Sequence, residues 1–283
     1  MDFDLNQDQR MLAQTVADFA KNESPVARFR KLRDDPIGYD PKVWQKMGEL
    51  GWLGVAFPES VGGFGGSFVE CALVLEHLST SLVPEPYLAS VVLGGFALLR
   101  AGSPEQQARY LTPMIEGEAT LALAYSEAQS RYDSSAVETM ATPSGEGYRI
   151  SGRKVWVLNG HHADHLVVSA KTSGGVTLFV VPRRAEGVAV TVVKTIDGHK
   201  AAFIDLDEVE VDAAARLGDE PPGQYAVLRG PSVALHRVAS AVLRHPPESH
   251  RARHRDRYRH PWRRHQRATQ TPRPWRRRPR PGE

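Results

Sequence analysis

Three clusters of residues have types and spacings that could do chemistry. In His161-His162-Ala163-Asp164-His165 the outer histidines are four apart, which is a metal-ligand spacing on a helix. The glutamate of the zinc-protease pattern is missing and β-branched stretches flank the cluster, so it reads as a solvated turn after a strand, with no metal expected. Gly62-Gly63-Phe64-Gly65-Gly66 has the glycine density of a phosphate loop. Such a loop needs a preceding strand and a following helix. Residues 44–55 instead read as an amphipathic helix ending at a Phe57-Pro58 break, which favours a glycine turn between helices. Cys71 lies in an apolar stretch and reads as core; as the sole cysteine it excludes an intramolecular disulfide framework and any Cys-clustered metal site.

The third cluster is electrostatic. Residues 229–283 hold 16 arginines, no lysine and three acidic residues, a formal charge of +13, whereas residues 1–228 hold 20 basic and 30 acidic residues, a formal −10. Six of the 11 histidines and eight of the 20 prolines also fall after residue 228. Arginine interleaved with Trp262 and Trp275 could track a nucleic-acid backbone and stack on bases. Basic arms commonly use lysine too, and this composition is what a GC-rich gene yields when read in the wrong frame. A shifted frame is therefore the preferred reading over a nucleic-acid arm. Moving the frame by one nucleotide after the Val227-Leu228 codons is expected to restore an apolar helical pattern. The segment has no apolar period beyond a short stretch at 233–243 and is expected to be a disordered, low-complexity tail.

The elements that position these residues follow from periodicity. Leu12, Val16, Phe19 and Ala20 recur at helical spacing behind Asn6-Gln7-Asp8, and Asp40-Pro41 has the form of an N-cap with proline at the first helical position. Ser103-Pro104-Glu105-Gln106 has capping-box spacing, and residues 68–78 and 88–99 are apolar enough for buried helices. From about residue 120 the period shortens. Stretches at 121–125, 148–150, 155–158, 166–170, 176–181, 188–193 and 203–211 are rich in β-branched residues. Gly145-Glu146-Gly147, Ser151-Gly152, Ser173-Gly174-Gly175 and Asp197-Gly198 punctuate them as turns. Helices first and strands second predict an α+β chain: a helical domain over 1–118, an antiparallel β-barrel or sandwich over 119–228, and the tail over 229–283. No run of 18 apolar residues occurs and Met1-Asp2-Phe3-Asp4 is no signal sequence, so no membrane span and a cytoplasmic location are expected.

Three stretches together resemble the acyl-CoA dehydrogenase family. The run from Trp44-Gln45-Lys46-Met47-Gly48-Glu49-Leu50-Gly51-Trp52 through Phe57-Pro58-Glu59 and Gly62-Gly63 is similar to its N-terminal helical domain. Ala122-Leu123-Ala124-Tyr125-Ser126-Glu127, ending in Asp133, lies where the family carries Thr-Glu-Pro…Gly-Ser-Asp. Lys154-Val155-Trp156-Val157-Leu158-Asn159-Gly160 resembles its Trp-Ile-Thr-Asn-Gly segment. Val83-Pro84-Glu85-Pro86-Tyr87 and the residues after Glu127 more narrowly resemble the small subunit of pimeloyl-CoA dehydrogenases.

The resemblance implies FAD, an acyl-CoA substrate, α,β-dehydrogenation to the trans-2-enoyl-CoA and electron delivery to an electron-transfer flavoprotein. It also implies a homo- or hetero-oligomer with another subunit of the family. Carried over, Tyr125 and Ser126 fall at the strand end facing the flavin, and Ser126 keeps the hydroxyl of the family threonine. Trp156 falls at the tryptophan beside the ring, with ordinary β-domain core as the alternative. Leu158 replaces a threonine that contacts the flavin. Arg131-Tyr132 replace Gly-Ser near the thioester, where Arg131 could instead meet a phosphate or the distal carboxylate of a dicarboxylyl-CoA such as pimeloyl-CoA. The family's catalytic glutamate comes from a C-terminal bundle with no counterpart here, so no residue is assigned as catalytic base, and Glu248 and Glu283 are not given that role. A non-catalytic subunit supporting an active partner is the second reading.

Overall fold

The structure, a computed structural model, describes residues 4–131 and 133–218. Tyr132 and the whole 229–283 tail, with every expectation attached to them, lie outside the described residues. The first part of the chain is helical. Asn6 and Gln9 form a capping box at the start of α1 (Gln7–Asn22). The short α2 (Val26–Leu32) follows, then α3 (Pro41–Glu49), where Asp40 accepts from the Lys42 N–H at 3.0 Å. Ser67 and Glu70 cap α4 (Phe68–Ser79), and Ser103 and Gln106 cap α6 (Pro104–Ile115). These side chains satisfy amide groups that the first turn of a helix leaves unpaired. Between α4 and α6, Leu88–Gly95 is a fully buried or half-buried π-helical stretch that runs into α5 (Phe96–Ala101).

The π-helical stretch positions the sheet. Ser90 Oγ exchanges hydrogen bonds of 2.9 Å with the backbone N–H and C=O of Leu121. A Cβ on Gly94 would sit 2.7 Å from the Leu121 Cβ, so the helix and β1 (Leu121–Ala124) meet closely only with glycine there. The other strands are β2 (Met140–Ser144), β3 (Gly147–Leu158), β4 (His165–Thr172), β5 (Gly175–Pro182), β6 (Val188–Lys194), β7 (Lys200–Asp212) and β8 (Arg216–Leu217). They form one sheet in the order β6-β7-β3-β2-β4-β5-β8, with β1 pairing parallel to β4. Alternation along β1 splits its residues between two cores: Leu121 and Leu123 join the helices, while Ala122 and Ala124 join Ile150, Val157, Ile204 and Val209.

The sheet departs from expectation in three ways. Ser151-Gly152 does not turn the chain but lies inside the continuous β3, at a register shift against β7 between Ile150 and Gly152. A Cβ on Gly152 would come 2.7 Å from the Thr139 Cα, so this glycine serves a close backbone approach. β2 escapes the β-branched pattern because it contains Pro143, tolerated where β2 pairs with β3 alone. The pairing is mixed rather than purely antiparallel, since β1 and β2 both run parallel to β4.

Candidate functional site

The segment from Lys154 to Asn159 is shaped by a second bulge. The register between β3 and β7 shifts between Lys154 and Val157. Strict alternation would send Lys154, Trp156 and Leu158 to one face. The bulge instead buries Lys154 and Val157 and turns Trp156 and Leu158 outward. Trp156 is 55% exposed and adopts φ +56°, a left-handed conformation that is costly for a bulky residue. Its indole stands edge-on to Phe203, with ring centroids 5.4 Å apart. The tryptophan is therefore not β-domain core. Asn159 also takes a positive φ, +56°, and its carbonyl accepts from the N–H groups of His162 and Ala163.

Beyond β1, Tyr125 is half-buried against the helical core, and its carbonyl accepts from Ser169 Oγ at 3.4 Å. Ser126 is half-buried, and its carbonyl accepts from the Val155 N–H at 2.9 Å. The structure thus brings the Ser126 backbone beside Val155, one residue before Trp156. Arg131 is exposed on a turn with φ +48°.

Beneath this surface lies a pair that motif reading overlooks. The Lys154 side chain is fully buried, with its Nζ 2.5 Å from Glu127 Oε1 and 2.9 Å from Ser169 Oγ. Glu127 also accepts from the Glu138 N–H at 2.7 Å, the Thr139 N–H at 3.1 Å and the Thr139 hydroxyl at 2.7 Å. Burial pushes the Glu127 carboxyl up, but the hydrogen bond and charge of Lys154 and the Glu138 and Thr139 donors prevail and bring it to about 2. Burial brings the Lys154 ammonium down to about 8 despite Glu127. The available sequence signal was phase: Lys154 stands four residues after Ile150 in one strand, hence on the same inward face.

A cavity of about 300 Å³ adjoins the far end of the segment. Leu75, Leu78, Leu88 and Leu158 supply apolar lining, and Asn159 and His161 supply polar groups. Asn159 is 6% exposed and its Nδ2 has no hydrogen-bond partner, nor has His161 Nδ1. Buried donors of this kind ordinarily have one. Burial lowers the pKa of His161, and its Nε2 lies 2.7 Å from the Ile37 carbonyl oxygen. Tyr39, also on the wall, is pushed up to about 12 by burial. The Glu85 carboxylate at the cavity is fully buried, held by both terminal nitrogens of Arg28 and by the Asp40 N–H at 3.2 Å.

The remaining clusters resolve structurally. His161 to Asp164 form a turn after β3, but a half-buried one. His162 Nδ1 lies 3.2 Å from the Tyr39 hydroxyl, and His165 opens β4 edge-on to Tyr110 at 5.0 Å. The rings dock on the helical part, so the turn is not solvated as expected. Among the described residues no group of three or more His, Cys, Asp or Glu could hold a metal ion, and no helix is long and apolar enough to cross a membrane. The glycine segment is a turn between helices whose N–H groups from Gly62 to Gly66 all donate to nearby carbonyls, leaving none for a phosphate. Cys71 is buried, and burial raises its thiol to about 11.

A helical part followed by a sheet, with an outward tryptophan and a polar-tipped apolar cavity, defines a class that comparison identifies. The model "Acyl-CoA dehydrogenase, N-terminal domain" matches residues 6–118 and "Acyl-CoA dehydrogenase, middle domain" matches residues 122–212. The chain belongs to the acyl-CoA dehydrogenase family, whose members are FAD-dependent flavoproteins. It is 33% identical over 237 residues to a probable acyl-CoA dehydrogenase, YngJ, of Bacillus subtilis, covering 79% of this chain and 61% of that protein. A chain of the ChsE4-ChsE5 complex of Mycobacterium tuberculosis superposes with TM-score 0.76 at 30% identity, covering 86% of this chain and 64% of the other. A chain solved in work on the electron transferring flavoprotein of Acidaminococcus fermentans gives TM-score 0.76 at 30% identity, covering 85% and 66%. The chain thus spans less than two thirds of the length of these relatives.

Proposed function

We propose that residues 1–118 and 119–228 form the flavin- and thioester-binding part of an acyl-CoA dehydrogenase that removes hydrogen from the α and β carbons of an acyl-CoA. The observation that carries this reading is the bulge in β3, which turns the Trp156 indole outward, next to the Val155 N–H that binds the Ser126 carbonyl, while Asn159 leaves an unpaired buried amide at an apolar cavity. These residues fit an isoalloxazine. The indole offers an apolar plane that excludes water from one ring face, the Ser126 hydroxyl a donor for a polar ring edge, and Tyr125 the strand end that sets its place. Bound FAD supplies the hydride-accepting chemistry. The apolar lining from Leu75, Leu78 and Leu88 suits an acyl chain. No residue of this chain is assigned the α-proton.

The substrate proposed at finer detail is a dicarboxylyl-CoA of pimelate type, its distal carboxylate or a phosphate meeting Arg131. Equal loss of affinity for dicarboxylyl and monocarboxylyl thioesters in Arg131→Ala would remove that detail. Electrons are proposed to pass to an electron-transfer flavoprotein within a homo- or hetero-oligomer. Leu158, which offers no hydroxyl at the cavity, favours a second reading as a supporting subunit. Flavin absorbance of the purified full chain tests the cofactor. Ferricenium reduction by acyl-CoA, with and without a second family subunit, tests the role: turnover only with the partner supports the second reading, and no bound flavin overturns the first.

A further inference from the structure

A buried ion pair is weak evidence for stability, because desolvation of both charges offsets their attraction and an apolar pair of like volume often does as well. The Glu127–Lys154 pair therefore calls for a reason beyond holding the sheet together. Its connections supply one. Glu127 directly follows Ser126, and Lys154 directly precedes the Val155 N–H that binds the Ser126 carbonyl. Lys154 also holds Ser169, whose hydroxyl reaches the Tyr125 carbonyl. From Lys154 the chain enters the bulge that gives Trp156 its left-handed conformation. On the other side, Ser130 Oγ accepts from the Glu127 N–H and donates to the Glu127 carbonyl, closing the turn after Ser126. An apolar pair would fill the volume but would fix neither the register of the strand end nor the phase of the bulge.

We infer that Glu127 and Lys154 are positioning residues which lock the Tyr125-Ser126 strand end and the Trp156 bulge into one rigid platform. Their relevance to the cofactor rests on the flavin reading above, whereas the locking itself does not. The pair touches neither ring nor thioester in this role; it acts through Ser126 and Trp156.

The test uses the full chain and the near-isosteric double variant Glu127→Gln/Lys154→Met. Trp156 is read directly as the difference in near-ultraviolet circular dichroism and indole fluorescence between each protein and its Trp156→Phe counterpart. The expected result is that this Trp156 signature collapses in the double variant while the far-ultraviolet spectrum is retained. Ser169→Ala, a milder change, is expected to weaken it partially. A control in the helical core away from the cavity, Leu111→Ala, is expected to lower the melting temperature but leave the signature intact, which separates positioning from general stability. FAD titration forms the second arm, with affinity expected to fall at least tenfold in the double variant and not in the control. An unchanged signature in both the folded double variant and Ser169→Ala overturns the inference. A collapsed signature in a protein whose parent binds no FAD upholds the platform and removes the flavin reading instead.

Discussion

Trp156 combines two features that a stability argument cannot justify. An indole 55% exposed gains little from burial, and its φ of +56° costs about 1–2 kcal/mol relative to ordinary strand geometry. Glycine tolerates that conformation. Trp156→Gly therefore trades relief of strain against the lost Phe203 edge contact, worth about 0.5–1.5 kcal/mol, and the melting temperature is expected to stay within about 4 °C of the parent by calorimetry. FAD affinity, measured by quenching of flavin fluorescence, is expected to drop by about tenfold or more. A large fall in melting temperature would mean that the indole is core after all. Glu127 gives a second residue-scale prediction. Its carboxyl titrates near 2 in the folded chain and near 4.5 when free, so between these values the unfolded chain binds more protons and stability rises with pH. That contribution is complete above 4.5 and is lost as pH falls toward 2. Urea midpoints are expected to decline across this window, with a shallower decline in Glu127→Gln. Trp156 stands out in the motif that carries the resemblance, whereas Lys154 was hidden because a charged residue within Arg153-Lys154 reads as solvated unless the strand phase is counted from Ile150.

At the scale of elements, the parts governed by local chemistry were readable. The caps at Asn6, Asp40 and Ser103 stand where their side chains can satisfy first-turn amides, and each begins the expected helix. What escaped depends on partners distant in sequence. Gly152 at the register shift is required by the close approach of Thr139 from the preceding segment, and β2 tolerates Pro143 where it pairs with β3 alone. The glycine turn allows its own check, since its glycines serve different purposes. A Cβ at Gly63 would lie 2.1 Å from the Phe57 carbonyl oxygen, whereas at Gly65 it meets open space but a φ of +65°. Gly63→Ala is expected to cost about 1–3 kcal/mol or more through overpacking, and Gly65→Ala about 1 kcal/mol through backbone strain alone. Denaturant melts would show that order. Affinity for nucleotide phosphate is expected to be unaffected in both, because the turn's N–H groups are already committed to carbonyls.

For the whole molecule, charge is distributed in a way that no average conveys. A pI of about 9.0 describes the chain, yet residues 1–228 carry a formal −10 and residues 229–283 carry +13. Fold class was legible from the switch in apolar period near residue 120. The junction between helices and sheet was not, because it rests on Ser90, Gly94 and the half-buried histidine turn, none of which carries a periodic signal. Two apolar cores account for the described body, one uniting the helices with one face of β1, β4 and β5, the other filling the space toward β3 and β7. If those cores supply its cooperativity, a chain ending at residue 228 melts at the temperature of the full chain. Its net charge reverses, so it binds an anion exchanger at neutral pH where the full chain does not. Any salt-sensitive retention on DNA belongs to the arginines and disappears with them, since phosphate binding scales with the cations that displace counterions. Retention that persists in the shortened chain would place a nucleic-acid surface on the acidic body, while a lower melting temperature would make residues 229–283 part of the folded unit rather than an appendage.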